Sequence, residues 1–161
     1  MVNGFINTLV AFLIGGATLS FNFSAADSVG KVQYSSEGEV VCFQESYRME
    51  TDDALIVSDG KTKGIYQKQI DEIVIQKVEE EGNAGIMDNP FALLMNPGKD
   101  YTVTAQNADS NGIPGKISIK TKNGEVYTIL VKGYSKTTAP EHSLFTIDPE
   151  QYPNAVVTDL R

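Results

Sequence analysis

Two side chains that could do chemistry occur once each: His142 is the single histidine and Cys42 the single cysteine of 161 residues. One imidazole removes every paired-histidine metalloprotease pattern, and one thiol makes neither an internal disulfide nor a thiolate zinc site. His142 sits in Pro140-Glu141-His142-Ser143, and a Ser/His/Asp set would also need a nucleophile elbow, which no segment of the sequence supplies. Asn107-x-Asp109-x-Asn111-Gly112 copies the start of an EF-hand calcium loop. The position that needs a bidentate glutamate is Ser118, and Asn107 replaces the usual first aspartate, so the segment reads as a polar turn. Cys42 lies among Val40, Val41 and Phe43, which suits a buried and inert thiol. Glu79-Glu80-Glu81 reads as a solvated loop, the alternative being an acidic lip that meets a basic partner. No glycine-rich phosphate loop is present, and the residues call for no catalytic set, no metal and no cofactor.

What must position the remaining residues is one average-sized domain, expected over 1–161. With 41% hydrophobic and 21% charged residues the chain can close a single core. Thirteen Lys plus Arg against 21 Asp plus Glu leave a net charge of −8, which repels phosphate backbones and anionic headgroups; nucleic acid is excluded as a partner.

Phe5 to Ile14 is the most apolar run. It falls well short of the ~20 residues that span a bilayer. It has the length of a leader's apolar core, and Ala25-Ala26 resembles a cleavage site, yet the first basic residue is Lys31. Its apolar residues fill one broad arc at helical spacing, which predicts a largely buried helix ended by Gly15-Gly16. From Leu19 the period changes to two: Leu19, Phe21 and Phe23 share one face of a strand, and Ser20, Asn22 and Ser24 the other. Further strands are expected at Lys31–Ser36 and Gly38–Phe43, broken by a turn at Ser35-Ser36-Glu37-Gly38, then at Tyr47–Glu50, Ala54–Val57, Lys63–Gln67 and Ile70–Val78. Asp59-Gly60 and Asn123-Gly124 supply tight hairpins. Strands resume at Tyr101–Ala105, Lys116–Lys120, Glu125–Lys132, Leu144–Ile147 and Ala155–Thr158. Between them Asn89-Pro90 opens a very short helix that Pro97 stops.

The fold class is therefore α+β, mainly β: an open antiparallel sheet curled into a half-barrel, with helices on one face. The concave face of such a sheet is either covered by helices or left as a cavity. Phe91, Leu94 and Met95 fall on one side of the short helix.

Three segments carry a family likeness. Leu55-Ile56-Val57-Ser58-Asp59-Gly60-Lys61-Thr62 with Ile65-Tyr66, Asp88-Asn89-Pro90-Phe91-Ala92-Leu93-Leu94, and Leu144-Phe145-Thr146-Ile147-Asp148-Pro149 with Tyr152-Pro153 and Asp159-Leu160-Arg161 resemble, in order, the hairpin, short helix and closing segment of LolA-type outer-membrane lipoprotein carriers. The resemblance implies a periplasmic carrier in a Gram-negative bacterium, without enzymatic activity or cofactor, that shields lipoprotein acyl chains in a hydrophobic cavity. Implied partners are acylated lipoproteins or lipids, an inner-membrane release complex and an outer-membrane receptor; a monomer is expected. It further implies that the N-terminal helix and a short lid helix cover the concave face: Tyr47 and Met49 take the place of family residues that enter the cavity, Phe91, Leu94 and Met95 that of the lid, and with Phe21 and Phe23 these residues are expected to line one apolar pocket. The family's lid-latching arginine falls at or near Phe43-Gln44-Glu45, where this sequence has none. A general lipid binder without lipoprotein transfer is the alternative.

Overall fold

The computed structural model describes residues 3–78, 91, 94 and 98–161. Its first element, α1 (Asn3–Ile14), is amphipathic rather than largely buried. Only the stripe Ile6, Leu9 and Leu13 is fully covered, while Phe5 and Ile14 remain 43% and 42% exposed. One side of a helix is all that a single sheet can cover. Gly16 then turns the chain at φ +104°, where a side chain would collide with the Thr137 carbonyl oxygen.

Among the described residues ten strands form one sheet: β1 (Ala17–Ala26), β2 (Val32–Phe43), β3 (Ser46–Thr51), β4 (Ala54–Ser58), β5 (Thr62–Gln67), β6 (Glu72–Lys77), β7 (Tyr101–Gln106), β8 (Lys116–Thr121), β9 (Val126–Lys136) and β10 (Val156–Asp159). Their order is β10-β6-β5-β4-β3-β2-β1-β9-β8-β7, so β1 is central and the sheet stays open between β7 and β10. Neighbours are antiparallel except β10, which runs parallel to β6. The architecture is the expected mainly β, open, curled sheet with an N-terminal helix.

β1 alternates as its sequence requires, with Ala17, Leu19, Phe21 and Phe23 buried on one face. The expected break in β2 does not occur, because Ser35 to Gly38 continue the ladder opposite β1. Gly38 faces Phe21 across the ladder. A Cβ at Gly38 would lie 2.9 Å from Phe21 Cζ and 2.8 Å from the Glu50 carbonyl oxygen. The glycine makes room for a ring rather than a turn.

In the β4–β5 hairpin only Gly60 takes positive φ, at +90°. Asp59 holds the turn, its Oδ1 accepting the amides of Lys61 at 2.9 Å and Thr62 at 2.8 Å.

The sheet is covered on both faces, not one. The expected strand Leu144–Ile147 is instead a 3-10 helix, His142–Phe145, followed by another at Pro149–Gln151. An apolar run this short does not distinguish the two states by periodicity. Phe145 is buried on the convex side, where Ile147 sits over Gly64 and Tyr152 over Tyr66 at 4.3 Å between ring centroids. Leu55, Val57, Ile73 and Ile75 are buried on this side of β4 and β6. Arg48 donates to the Leu144 carbonyl at 3.5 Å, tying the last segment to β3.

Candidate ligand-binding face

Strand register arranges the concave side chains in rows that cross the sheet. One row runs Leu19, Val40, Met49, Ile56, Ile65, Val74, apolar throughout. The neighbouring row towards the end of β1 begins Phe21, Gly38, Thr51, and Phe23 lies beyond it, opposite Ile129 of β9. Ile117 and Ile119 extend the apolar lining across β8, both at zero exposure.

The predicted residues divide as follows. Phe21, Phe23 and Met49 are 2%, 5% and 3% exposed and border one small void together with Tyr34, Ala54 and Ile56. Tyr47 packs against the same core cluster, but it lies one row further along and does not border that void. Phe91 and Leu94 belong to the cluster at 1% and 4% exposure. Phe91 meets Phe21 edge to face, with ring centroids 5.2 Å apart, and the Leu94 amide donates to the Phe91 carbonyl at 3.1 Å. Met95 lies outside the described residues, as do Asn89, Pro90, Pro97 and the Glu79–Glu81 loop.

The void holds about 70 Å³. A dry engineered cavity of ~150 Å³ holds one benzene, and sites for drug-sized ligands run to ~300–1,000 Å³. Among the described residues, Leu9 and Leu13 of α1 and Phe91 with Leu94 join the concave side chains in one buried cluster. Larger hollows lie on the convex surface, and the wall of one is mostly charged. This one, of about 480 Å³, is bordered by Glu37, Glu39, Glu50 and Asp52, with Arg48 and Lys68 paired to Glu50 at 3.7 and 3.0 Å. Such a wall suits water, not an acyl chain.

An aromatic end closes the void. Phe23 stacks on Tyr127 at 6.0 Å and meets Tyr34 edge-on at 6.3 Å. Tyr34 donates to Asp53 Oδ2 at 2.8 Å, and burial together with that carboxylate raises its phenol above the ordinary value.

The reactive candidates lie elsewhere or are quenched. Burial pushes the Cys42 thiol up to about 12, so it stays protonated at neutral pH. His142 is 73% exposed on the convex side, 3.5 Å from Asp59 Oδ2. Burial pushes Asp59 up, but the Thr62 and Lys61 amides and the imidazole outweigh it and leave the carboxyl below its ordinary value. Asp109 spends its oxygens on the Asn111 and Ile113 amides, at 2.9 and 3.0 Å, and on the Tyr134 hydroxyl, as a polar turn does.

The sequence reading missed Val40, Ile56, Ile129 and the α1 stripe as lining, and it missed Lys63. Alternation within each strand was the signal. Two of the three segments that carry the family likeness, the hairpin and the closing segment, meet on the other side: Val57, Asp59, Gly64, Phe145, Ile147 and Arg161 border one convex crevice of about 210 Å³. They staple the fold rather than line the concave face.

No protein-family model matches the sequence, and no curated relative matches it. Solved structures do. A LolA superfamily protein from Nitrosomonas europaea superposes with a TM-score of 0.61 at 10% identity, over 91% of this chain and 97% of that one. An uncharacterized conserved protein from Thermus thermophilus gives 0.56 at 12% identity, over 96% of both chains. At such identity the likeness concerns the fold, and the chain has a LolA-like fold.

Proposed function

We propose that the concave face takes up acyl chains when the side chains of Phe91 and Leu94 give way, and that the protein is a carrier rather than an enzyme. The observation that supports this most is the apolar row Leu19, Val40, Met49, Ile56 across β1 to β4, with Phe21 beside it, which shares one buried cluster with Phe91 and Leu94. Each acyl methylene kept from water is worth about 0.8 kcal/mol. A chain of a dozen or so methylenes therefore competes with a Phe–Phe contact and a buried leucine on favourable terms. Catalytic groups are not required for that work.

The finer reading is a periplasmic carrier of a Gram-negative bacterium, monomeric, that shields lipoprotein acyl chains between an inner-membrane release complex and an outer-membrane receptor. A second reading, a general lipid or hydrophobic-ligand binder without lipoprotein transfer, is favoured by Arg48. That arginine reaches the convex side and bonds the Leu144 carbonyl, so it does not latch the cover. Among the described residues no helix is long and apolar enough to cross a membrane.

Organic extraction of the purified protein followed by mass spectrometry tests both readings. A triacylated peptide supports lipoprotein transfer, and free lipid supports the second reading. Protein that neither carries lipid nor takes up a fluorescent fatty-acyl probe overturns both.

A further inference from the structure

One row beyond Met49, the concave face changes character. Register places Cys42, Tyr47, Ser58, Lys63 and Gln76 side by side across β2 to β6. Ser58 and Lys63 are the buried polar residues among those described, at 3% and 7% exposure, and they are direct cross-strand partners. Lys63 alternates with Thr62 and Gly64, which border the convex crevice, so its side chain points to the concave side, as does that of Ile65 two residues on. Ser58 Oγ accepts the Gly60 amide at 3.2 Å, which leaves its own proton to donate.

Lys63 is the buried cation among the described residues, and a lysine is rarely this buried without a partner. Three donors of different kinds, an ammonium, a phenol and a hydroxyl, stand in one row at the edge of an apolar trough. From this row to that of Phe23 is six residues along β1. At strand rise that is about 20 Å, the length of an extended long-chain acyl group.

We infer that the Tyr47–Ser58–Lys63 row is a headgroup subsite, and that the protein's ligand is an anionic amphiphile: a carboxylate or phosphate head at Lys63 with its acyl tail along Met49, Ile56 and Phe21 towards Phe23. The inference rests on the acyl-binding reading above and narrows it. An anionic head exchanges for the group that the ammonium meets in the unliganded protein as the tail displaces Phe91. A triacylated cysteine has no such head, so the subsite selects lipids over lipoproteins.

The test compares a fluorescent long-chain fatty acid with its methyl ester, and an alkyl phosphate with inorganic phosphate as competitors, on the full chain. A charge-assisted hydrogen bond predicts that the acid binds about tenfold tighter than the ester. The alkyl phosphate displaces the probe and inorganic phosphate does not. Lys63→Met makes acid and ester equal, with ester affinity unchanged, and Lys63→Arg keeps the preference; circular dichroism controls for folding. Equal binding of acid and ester by the parent, or a preference that survives in folded Lys63→Met, overturns the subsite and leaves the acyl site standing. If Lys63→Met does not fold, Lys63→Arg decides, because loss of the preference there is equally fatal. Displacement by inorganic phosphate alone overturns the amphiphile. Failure of both probes to bind removes the acyl site and the subsite with it.

Discussion

Truncating Phe91 should strengthen ligand binding, which is the opposite of what a ligand-contacting residue would give. Phe91 is 1% exposed and meets Phe21 edge to face at 5.2 Å. In the proposed mechanism that ring stands where the acyl chain goes, so the measured affinity is the intrinsic affinity reduced by the fraction of molecules whose cover is open. The aromatic contact alone is worth about 0.5–1.5 kcal/mol beyond area burial. Removing it should multiply the open fraction, and the affinity for a fatty-acyl probe, by about two- to twelvefold. Loss of the ring's buried area pushes the gain further. Phe21→Ala behaves differently, because Phe21 is part of β1 and lies over Gly38. It should cost about 3–5 kcal/mol of global stability and weaken binding. The assay is a probe titration of the parent and both variants at one temperature, with urea denaturation alongside. A folded Phe91→Ala protein that binds no better than the parent refutes the idea that this side chain stands in for ligand.

Other outcomes follow from local geometry. Gly38→Ala places a methyl group 2.8 Å from the Glu50 carbonyl oxygen and 2.9 Å from Phe21, and should cost about 1–3 kcal/mol in urea denaturation; an unchanged midpoint contradicts the ring-over-glycine arrangement. Cys42, with its thiol raised to about 12, should resist a thiol reagent at mildly alkaline pH until denaturant is added. Fast labelling of the native protein would show an open face. Asp59 has a depressed carboxyl, so its contribution is complete above the unfolded carboxylate pKa of about 3.9 and fades as pH falls through the lower folded value. The stability advantage of the parent over Asp59→Asn should therefore shrink on acidification, and an advantage that grows would reverse the sign of the argument. His142→Ala should leave probe binding unchanged, since the imidazole lies exposed on the convex side.

Much of this fold is legible residue by residue. The period-two run Leu19, Phe21, Phe23 gives β1 and its buried face, and Asp59-Gly60 and Asn123-Gly124 both fall at hairpin turns. What failed depends on distant partners. Gly38 reads as a turn residue because nothing nearby tells of Phe21's ring. Leu144 to Ile147 reads as a strand because the run is apolar, whereas its tertiary task is to bury Phe145 and seat Ile147 over Gly64. The candidate face was partly legible for the same reason. Alternation finds Phe21 and Phe23, and the family likeness finds Met49, but the joining of rows across strands depends on register, which alone places Lys63 beside Ser58 and Tyr47.

The central claim, that acyl chains occupy the concave face, is tested most directly by loading the protein with a photoreactive fatty acid, irradiating, and mapping adducts by peptide mass spectrometry. The account predicts adducts on the strands that carry Phe21, Phe23, Met49 and Ile56, and their loss under competition by unlabelled fatty acid. Adducts confined to convex-side residues such as Leu130 and Val157, or labelling that unlabelled fatty acid does not compete away, would contradict it.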